Sequence, residues 1–266
     1  MAQNSLKLSI VIPAHDEEKN LPETVRDLQL ALRGAGIPYE IIVVDDCSTD
    51  GTARVIAELR AADPNVRTIS RTAPGGFGRA IRAGLALVEG DVVIPCMADK
   101  SDDPADVVRY YRTIEEGWDC VFGSRFRRGA VVENYPRGKL FTNRIVNRCI
   151  QVLFWCRFND LTNAFKAYRT EVIRDCGPYR ASHFNITIEM SLGALIRKYR
   201  ITEIPTSWRG RTWGTSNLRL TQMGRRYLAT LIRMFAERLL IADDLAAERL
   251  SEHARLRYDY VRDEKR

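Results

Sequence analysis

Three carboxylates follow an apolar run in GDVVIPCMADKSDDP, residues 90–104: Asp99, Asp102 and Asp103. In an open α/β sheet, ligands bind outside the carboxyl ends of the strands, so acidic side chains just past a buried strand are well placed for a metal ion or a polar ligand. Asp102 and Asp103 have a second interpretation, because carboxylates also cap the start of a helix, which Pro104 favours here. Asp99 lies further from that helix start, so we expect it to contact the ligand.

A second pair of carboxylates, Asp45 and Asp46, ends the apolar run in VVDDCSTDGT. At a strand end, such a pair can accept hydrogen bonds from the base or the ribose of a nucleotide, although turn formation alone would also explain it. The segment APGGFGRAIRAG then contains Gly75, Gly76 and Gly78, which allow the backbone to approach a ligand or to form a tight turn. These glycines lack the GxGxxG spacing of a dinucleotide site, so alone they indicate little.

Apolar, β-rich runs alternate with helical patterns through the first half of the chain. The β-rich runs cover residues 8–12, 41–44, 92–94 and 120–122, and the helical patterns cover about 21–33, 51–62, 77–89 and 104–116. This alternation predicts an α/β fold in which helices cover both faces of a mostly parallel sheet. The loops that follow the strands are therefore rich in carboxylates.

The chain has 266 residues and carries 41 Lys and Arg against 34 Asp and Glu. This size suits one large α/β domain with an appendage or two small domains, and we expect a domain at 1–217 and a helical extension at 218–266. Arginine is concentrated after residue 109, which suits an anionic partner or a basic surface exposed to solvent. Nucleic acid is a poor candidate partner, because the basic residues follow no groove-reading motif and do not interleave with aromatic residues.

Two amphipathic stretches lie in this basic half. The apolar positions of the first are Leu140, Ile145, Val146, Ile150, Leu153 and Phe154, and those of the second are Leu220, Met223, Tyr227, Leu231, Met234, Ile241 and Leu245. The first predicts a helix whose apolar face either is buried in the core or lies on a membrane surface. The second suits an intramolecular contact as well as a homodimer. No stretch has 18 uninterrupted apolar residues, so we expect any membrane contact to be peripheral.

The six cysteines form no CxxC pair and no even ladder of spacings, so neither a zinc site nor a disulfide framework is indicated. Reduced thiols in a cytoplasm are the simplest interpretation. The segment MAQNSLKLSIVIPAHDEE is unlike a signal peptide, because acid and histidine follow its apolar run within a few residues. We therefore expect a cytoplasmic protein, with any peripheral contact on the inner face of the membrane.

Five ordered motifs extend these observations: SIVIPAHDEEKNL, EIIVVDDCSTDGT, GFGRAIRAGL, GDVVIPCMADKSDDP and GSRF. In this order and spacing they resemble the family-2 glycosyltransferases, and in particular the dolichyl-phosphate mannose synthase branch. The resemblance covers about residues 6–218. It implies a single GT-A (Rossmann-like) domain with a mostly parallel sheet flanked by helices, followed by a C-terminal amphipathic helix.

The resemblance also implies a set of residues that bind the nucleotide-sugar donor: Pro13, Ala14, His15, Glu17, Asp45, Asp46, Gly78, Arg79, Ala98 and Asp99. Asp99 matches the second Asp of the family's DxD motif, which holds Mg²⁺ or Mn²⁺ on the donor diphosphate. The first Asp is replaced by Met97, whose thioether is a poor ligand for these hard cations. Either the metal binds through Asp99, water, the diphosphate and Ser101, or the site has lost its metal. We favour the first, because Mg²⁺ needs few carboxylates when phosphates supply the other oxygens.

On the acceptor side, the resemblance implies that Arg125, Lys139, Asn143, Arg211 and Ser216 bind a polyprenyl phosphate. Asn217 replaces the lysine usual in the branch. Asp99, Arg125 and Arg211 are then the expected catalytic residues. An acceptor hydroxyl, unlike a phosphate, would need a general base, for which Asp103 and Glu189 are the candidates.

The reaction implied is the inverting transfer of a hexose from a GDP- or UDP-sugar to an acceptor. A polyprenyl phosphate at the cytoplasmic membrane face is the favoured acceptor. Two alternatives stay open: transfer to a soluble glycan or small molecule, and a non-catalytic module that only binds a nucleotide sugar.

Overall fold

The computed structural model describes residues 5–135, 137–210 and 224–241, without the side chains at 137 and 139. The strands are β1 (Leu8–Ala14), β2 (Tyr39–Asp46), β3 (Val66–Arg71), β4 (Val92–Pro95), β5 (Cys120–Ser124), β6 (Val131–Glu133), β7 (Lys166–Arg169), β8 (Ile201–Pro205) and β9 (Ser207–Arg209). The helices are α1 (Leu21–Gly34), α2 (Thr52–Ala62), α3 (Phe77–Leu85), α4 (Pro104–Glu115), α5 (Arg137–Phe154), α6 (Thr170–Asp175) and α7 (Ile186–Ile196). Residues 224–241 are also helical and are called α8 below.

Seven strands form the main sheet, in the order β3-β2-β1-β4-β7-β5-β8. Only β7 within it is antiparallel to its neighbours. The carboxyl ends of the other six strands therefore meet at one edge of the sheet, together with the start of β7. The prediction of an α/β fold with a mostly parallel sheet is confirmed. A separate pair of parallel strands, β6 and β9, forms a short ribbon.

The strands are rich in apolar residues because helices cover the sheet on both faces. Along β1, the side chains of Ile10 and Ile12 pack in one buried cluster and that of Val11 packs in the other. Both faces are thus apolar at this point, which explains the three consecutive apolar residues at 10–12. The sequence pattern did not predict β3, and the reason is its position at the edge of the sheet. Its residues VRTISR are mostly half-exposed, so the apolar run is broken.

The first amphipathic stretch forms α5, which is partly buried. Ile150 and Phe154 are buried in the core, whereas Phe141 and Val152 are exposed, as is Trp155 just after the helix (87%). The helix therefore buries one apolar face and leaves other apolar side chains in solvent. No helix within 5–135, 137–210 and 224–241 is both long enough and apolar enough to cross a bilayer.

The apolar stripe of α8 packs within the chain. Met234 is buried, and Tyr227, Leu231 and Ile241 pack against the same buried cluster as α5 and α7. The rings of Phe235 and Phe154 meet edge to face, 6.2 Å apart. The described part of the stripe thus makes an intramolecular contact, and its remaining positions at 220, 223 and 245 lie outside the described residues.

Candidate active site

The carboxyl edge of the sheet collects most of the predicted site residues. The chain leaves β1 toward β2 on one side, whereas β4 pairs with β1 on the other side. A crevice forms at such a reversal of strand order, just outside the strand ends, and it is the usual ligand site of open α/β sheets. Pro13, Ala14, Asp45 and Asp46 all end strands at this edge.

The loops after β1 and β2 are locked together by hydrogen bonds. Nδ1 of His15 lies 2.8 Å from the carbonyl oxygen of Asp46, so that nitrogen carries the proton. A side-chain oxygen of Asp16 accepts from the backbone nitrogen of Thr49 at 2.7 Å. The backbone nitrogen of Glu17 donates to the hydroxyl of Thr52 at 2.9 Å. These contacts make the two loops one rigid wall of the crevice.

Asp46 organises the segment that follows β3. Its carboxylate pairs with Arg71 and accepts a hydrogen bond of 2.5 Å from the backbone nitrogen of Gly76. Asp45 uses one oxygen to accept from the backbone nitrogen of Ser48 at 3.1 Å. Both carboxylates are buried, so in this structure they shape the loops around the crevice. Arg71 was missed by the sequence reasoning, because β3 itself was not predicted.

Residues 75–79, called the glycine loop below, need their glycines. A Cβ atom at Gly78 would lie 2.6 Å from the carbonyl oxygen of Ala181 and 2.7 Å from that of His183. Gly76 has a φ of +151° and would meet the carbonyl oxygen of Ser182 at 2.4 Å. The glycine loop includes the first turn of α3, which begins at Phe77, and the N-terminus of this helix faces the same edge and favours an anion.

Gly78→Ala is expected to destabilise the fold by about 1–3 kcal/mol, because backbone oxygens cannot move aside for the added methyl group. Gly34→Ala is the matched control. No atom lies within 4 Å of the Cβ position at Gly34, so alanine should stabilise this helical site by about 0.5–1 kcal/mol. Urea unfolding measures both changes. Equal effects of the two substitutions would contradict the close backbone contact at Gly78.

The loop after β4 carries Asp99, whose residue exposure is 5%. A side-chain oxygen of Asp99 accepts from the backbone nitrogen of Ser101 at 3.1 Å. The carbonyl of Ala98 accepts a 2.8 Å hydrogen bond from the hydroxyl of Thr24, which fixes the loop on α1. The carboxylate of Asp102 accepts from the backbone nitrogen of Met97 at 2.9 Å. Asp102 therefore closes the turn in which Asp99 lies.

Asp103 is the N-cap of α4, as the alternative interpretation of this segment expected. Its carboxylate accepts a hydrogen bond of 2.9 Å from the backbone nitrogen of Ala105. It also lines a cleft that Met97, Ser207 and Arg209 border. Capping already engages one oxygen of Asp103, which argues against its role as a general base.

The side chains in the loop after β4 show whether a divalent cation could bind there. Among the described residues, no three His, Cys, Asp or Glu side chains form a metal site by themselves. Mg²⁺ and Mn²⁺ prefer hard oxygen ligands, which Asp99 provides and the Met97 thioether does not. Burial and the like charge of Asp99 raise the pKa of Asp102 to about 7, and a bound cation would relieve that repulsion. The loop therefore fits a cation held through Asp99.

A second polar cluster lies after β5, where Arg125 and Asp160 form a buried ion pair. Nε and Nη2 of Arg125 each donate to an Asp160 oxygen at 2.8 Å. The Arg125 side chain is 9% exposed and that of Asp160 is fully buried. Burial alone would lower the pKa of Arg125, but the charge of Asp160 raises it overall. Nη1 is the least engaged nitrogen, 3.4 Å from the hydroxyl of Tyr135.

The cluster extends from the ion pair to α5. Asn143 donates to the hydroxyl of Tyr135. Asn147 donates to the hydroxyl of Thr162 at 2.9 Å, and that hydroxyl lies 3.2 Å from Asp160. The hydroxyl of Tyr135 thus joins Asn143 to Arg125, a contact that the sequence reasoning missed. For Asp160 and Thr162, the polar run NDLTN was the only feature of the sequence that indicated a polar cluster. The side chain at 139 and all of residues 211–217 lie outside the described residues, so Lys139, Arg211, Ser216 and Asn217 stay predictions.

Lys166, at the start of β7, stabilises the turn that carries Asp160. Its ammonium group is fully buried and donates to the carbonyl oxygens of Leu161 and Asn163 at 2.9 and 2.5 Å. Burial lowers the pKa of Lys166 to about 7. The lysine holds the turn that carries Asp160, a role that its place in the sequence did not suggest.

Lys166→Met is expected to change the pH dependence of stability. Between about pH 7 and pH 10, the folded chain has lost the Lys166 proton that the unfolded chain still binds. Stability rises with pH where the unfolded state binds more protons. The free energy of unfolding of the wild type minus that of the variant should therefore grow from pH 7 to pH 9, by up to about 1.4 kcal/mol per pH unit. A constant difference in urea unfolding across this range would contradict the lowered pKa.

Glu189 does not have the position expected of a general base. Its carboxylate accepts hydrogen bonds from the backbone nitrogens of Arg180 and Ala181 at 2.8 and 2.7 Å, and it also pairs with Arg233. The side chain is 4% exposed. Both oxygens are therefore engaged and shielded from solvent, so the carboxylate is not placed to accept a proton from a substrate.

The chain is similar in sequence to known proteins. Residues 9–177 match the family model described as Glycosyl transferase family 2. The chain is 30% identical over 215 residues to polyprenol monophosphomannose synthase of Mycolicibacterium smegmatis, covering 79% of this chain and 80% of the relative. It is 31% identical over 221 residues to dolichol-phosphate mannosyltransferase of Pyrococcus furiosus, covering 80% of this chain. The chain matches 60% of the length of that second relative.

Solved structures show the same fold. One is a crystal structure of glucosyl-3-phosphoglycerate synthase from Mycobacterium tuberculosis in complex with Mn²⁺, UDP and glucosyl-3-phosphoglycerate. It has a TM-score of 0.64 at 20% identity, over 87% of this chain and 80% of that chain. At this identity the likeness concerns the fold alone. The sequence matches show that this chain belongs to glycosyl transferase family 2, in the branch that contains the dolichyl-phosphate mannose synthases.

Proposed function

We propose that this chain transfers a hexose from a nucleoside diphosphate sugar to a polyprenyl phosphate. The observation that carries the proposal is the meeting of two different sites at one sheet edge. The crevice beside Asp46, the glycine loop and Asp99 suits a nucleotide diphosphate. The ordered guanidinium of Arg125, which follows a strand at the same edge, suits a second anion. The relatives named for polyprenol and dolichol phosphate transfer support this pairing of ligands.

On the donor side, the N-terminus of α3 and the Arg79 guanidinium would face the diphosphate. The Arg79 side chain donates to the carbonyl of Gly75 at 2.9 Å, so its charge is held over the glycine loop. Asp99 would hold Mg²⁺ or Mn²⁺, which when bound supplies positive charge to the leaving diphosphate. Structural neighbours bind these ions together with UDP, which supports the proposal for the metal.

On the acceptor side, an oxygen of the lipid phosphate would attack the anomeric carbon in line. The bond from that carbon to the acceptor oxygen forms as its bond to the diphosphate breaks, and the configuration inverts. A phosphate monoester is already anionic at neutral pH, so no base is required. The engagement of Glu189 and Asp103 in hydrogen bonds favours such an acceptor over a sugar hydroxyl. Arg125 would orient the phosphate, with Lys139, Asn143, Arg211 and Ser216 as the further proposed contacts.

We also place the enzyme peripherally on a membrane, through an apolar surface on α5 and α8. Its exposed side chains are Phe141, Ile145, Val152, Leu153, Trp155, Leu228, Ile232, Leu239 and Leu240. The two helices touch, since Arg238 donates to the carbonyl of Leu153 at 3.2 Å. A surface of apolar side chains with arginines around it suits anionic lipid. All six cysteines are free thiols, which suits the cytoplasmic face.

Ile232→Glu is expected to weaken binding to anionic lipid vesicles about tenfold, because it removes one apolar side chain from the lipid and adds a negative charge. Leu30→Glu is the matched control. Leu30 is similarly exposed, 65% against 62% for Ile232, but lies on α1. Sedimentation with vesicles measures both. Equal losses in the two variants would contradict the assignment of this surface.

The proposed reaction is tested by incubating the purified chain with GDP-mannose, UDP-glucose or UDP-N-acetylglucosamine, with Mn²⁺ and either a polyprenyl phosphate or a soluble glycan. We expect one donor to give a glycosylated lipid phosphate and no glycosylated glycan. Transfer to the glycan alone would favour the soluble-acceptor alternative. Binding of nucleotide without transfer to any acceptor would favour a non-catalytic module.

A further inference from the structure

Residues 180–183, called the backing segment below, lie directly behind the glycine loop. The backbone nitrogen of Arg79 donates to the carbonyl of Ser182 at 3.3 Å. The glycines at 76 and 78 leave no space between the two backbones, as their Cβ positions show. The rings of Phe77 and Phe184 stack 4.3 Å apart. Because backbone rests on backbone, any shift of the backing segment must move the glycine loop.

Glu189 holds the backing segment in place. As described above, its buried carboxylate accepts from two successive backbone nitrogens of that segment, at 180 and 181. Charge-assisted hydrogen bonds to a buried carboxylate are stronger and more directional than neutral ones. The carboxylate therefore fixes the path of the chain at the point where it turns toward the glycine loop.

The charge of Glu189 is balanced from α8. Arg233 donates to the same carboxylate. One turn earlier on α8, the hydroxyl of Thr230 accepts a 2.9 Å hydrogen bond from Asn185. A second ion pair joins Glu237 on α8 to Arg197, directly after the end of α7, at 2.9 Å, but neither residue contacts the backing segment through it. The chain thus offers two ion pairs to α8, only one of which reaches the backing segment.

We propose that Glu189 and Arg233 are positioning residues for the nucleotide-sugar donor. They hold the backing segment against the glycine loop, and the glycine loop with Asp46 forms the wall that faces the diphosphate. Helix α8 is in this way part of the donor site. The inference rests on the proposed function, because it takes the glycine loop as the diphosphate wall.

The test compares Arg233→Met, which removes the ion pair with Glu189, with Arg197→Met. The second substitution removes the ion pair with Glu237 on α8 and also one of 3.4 Å with Asp175 on α6. Binding of GDP and of UDP is measured by calorimetry in Mn²⁺. Hydrogen exchange of the amides at 76–80 is measured without nucleotide. We expect Arg233→Met to raise the dissociation constant for the nucleotide about threefold to tenfold, because the glycine loop would be slightly misplaced. Amide hydrogen exchange at 76–80 should become faster. Arg197→Met should change neither by more than about twofold.

Two further variants separate positioning from folding. Arg233→Lys keeps the charge and should recover most of the nucleotide affinity, whereas Glu189→Gln should raise the donor KM and leave the acceptor KM unchanged. Equal exchange at 76–80 in the wild type, Arg233→Met and Arg197→Met would overturn the inference. A wild type that binds neither nucleotide would overturn the proposed function, and with it the role given to Arg233. The exchange result separates these two failures, because it needs no ligand.

Discussion

Asp160→Ala is expected to lower the free energy of unfolding by about 3–5 kcal/mol, because it leaves the buried guanidinium of Arg125 without its counter-ion. Both guanidinium hydrogen bonds and a backbone hydrogen bond to Asp160 are lost together. Arg127→Ala is the control, since Arg127 is 47% exposed and lies 3.9 Å from Glu203. Its loss should cost less than about 1 kcal/mol. Urea unfolding measures both, and equal costs would show that the Arg125 pair is not buried as described.

A double variant separates the stability of this pair from its proposed function. Arg125→Met with Asp160→Leu removes both charges and replaces them with apolar side chains, an exchange that is often nearly neutral for a buried pair. We expect the double variant to recover most of the stability lost in Asp160→Ala. It should nevertheless fail to use a polyprenyl phosphate acceptor, because the proposed phosphate contact is gone. A stable double variant with full transfer activity would show that Arg125 has a structural role only.

Asp99→Ala is expected to reduce kcat/KM at least about 100-fold, equivalent to about 2.7 kcal/mol of transition-state stabilisation. The physical reason is the loss of the carboxylate that would hold the cation on the leaving diphosphate. Nucleotide with Mn²⁺ at about 100 times its dissociation constant should stabilise the wild type by about 2.7 kcal/mol. That stabilisation should vanish in Asp99→Ala and in the presence of a chelator.

Asp103→Ala is the matched control for Asp99, four residues further along the same loop. It removes the cap of α4 and should cost about 1 kcal/mol of stability. The metal-dependent stabilisation by nucleotide should persist in it. If Asp99→Ala kept that stabilisation, the cation would not be held through Asp99. If Asp103→Ala lost it, the cap would have a second role in the donor site.

The positions of the carboxylates in the proposed donor half could be predicted from the sequence because their signals are local. Asp45, Asp46 and Asp99 each follow an apolar run, and parallel strands bring such residues to one edge. The cap role of Asp103 was equally visible, since Pro104 follows it. What the pattern could not show is what these carboxylates contact. Asp46 binds Arg71 and Gly76, which come 25 and 30 residues later in the chain.

The acceptor half and the role of Glu189 depend on contacts between distant residues. Arg125 is paired with Asp160, 35 residues away, and Glu189 with Arg233, 44 residues away. No periodicity in a single sequence encodes such pairs. A buried carboxylate in an apolar helix such as NITIEMSLGALI indicates only that some partner must neutralise it. Whether the partner is a substrate or another part of the chain is decided by the tertiary fold, and for Glu189 the chain itself provides it.

The requirement for an acceptor phosphate tests the central claim most directly. The purified chain is given its donor sugar nucleotide, Mn²⁺ and either a polyprenyl phosphate or the matching polyprenol, and the glycosylated lipid is quantified. We expect kcat/KM to be at least about 10³-fold higher with the phosphate. The polyprenol lacks the anion that Arg125 would orient, and its hydroxyl has a proton that neither candidate base, Asp103 or Glu189, is placed to remove. Equal transfer to the two lipids would contradict the account.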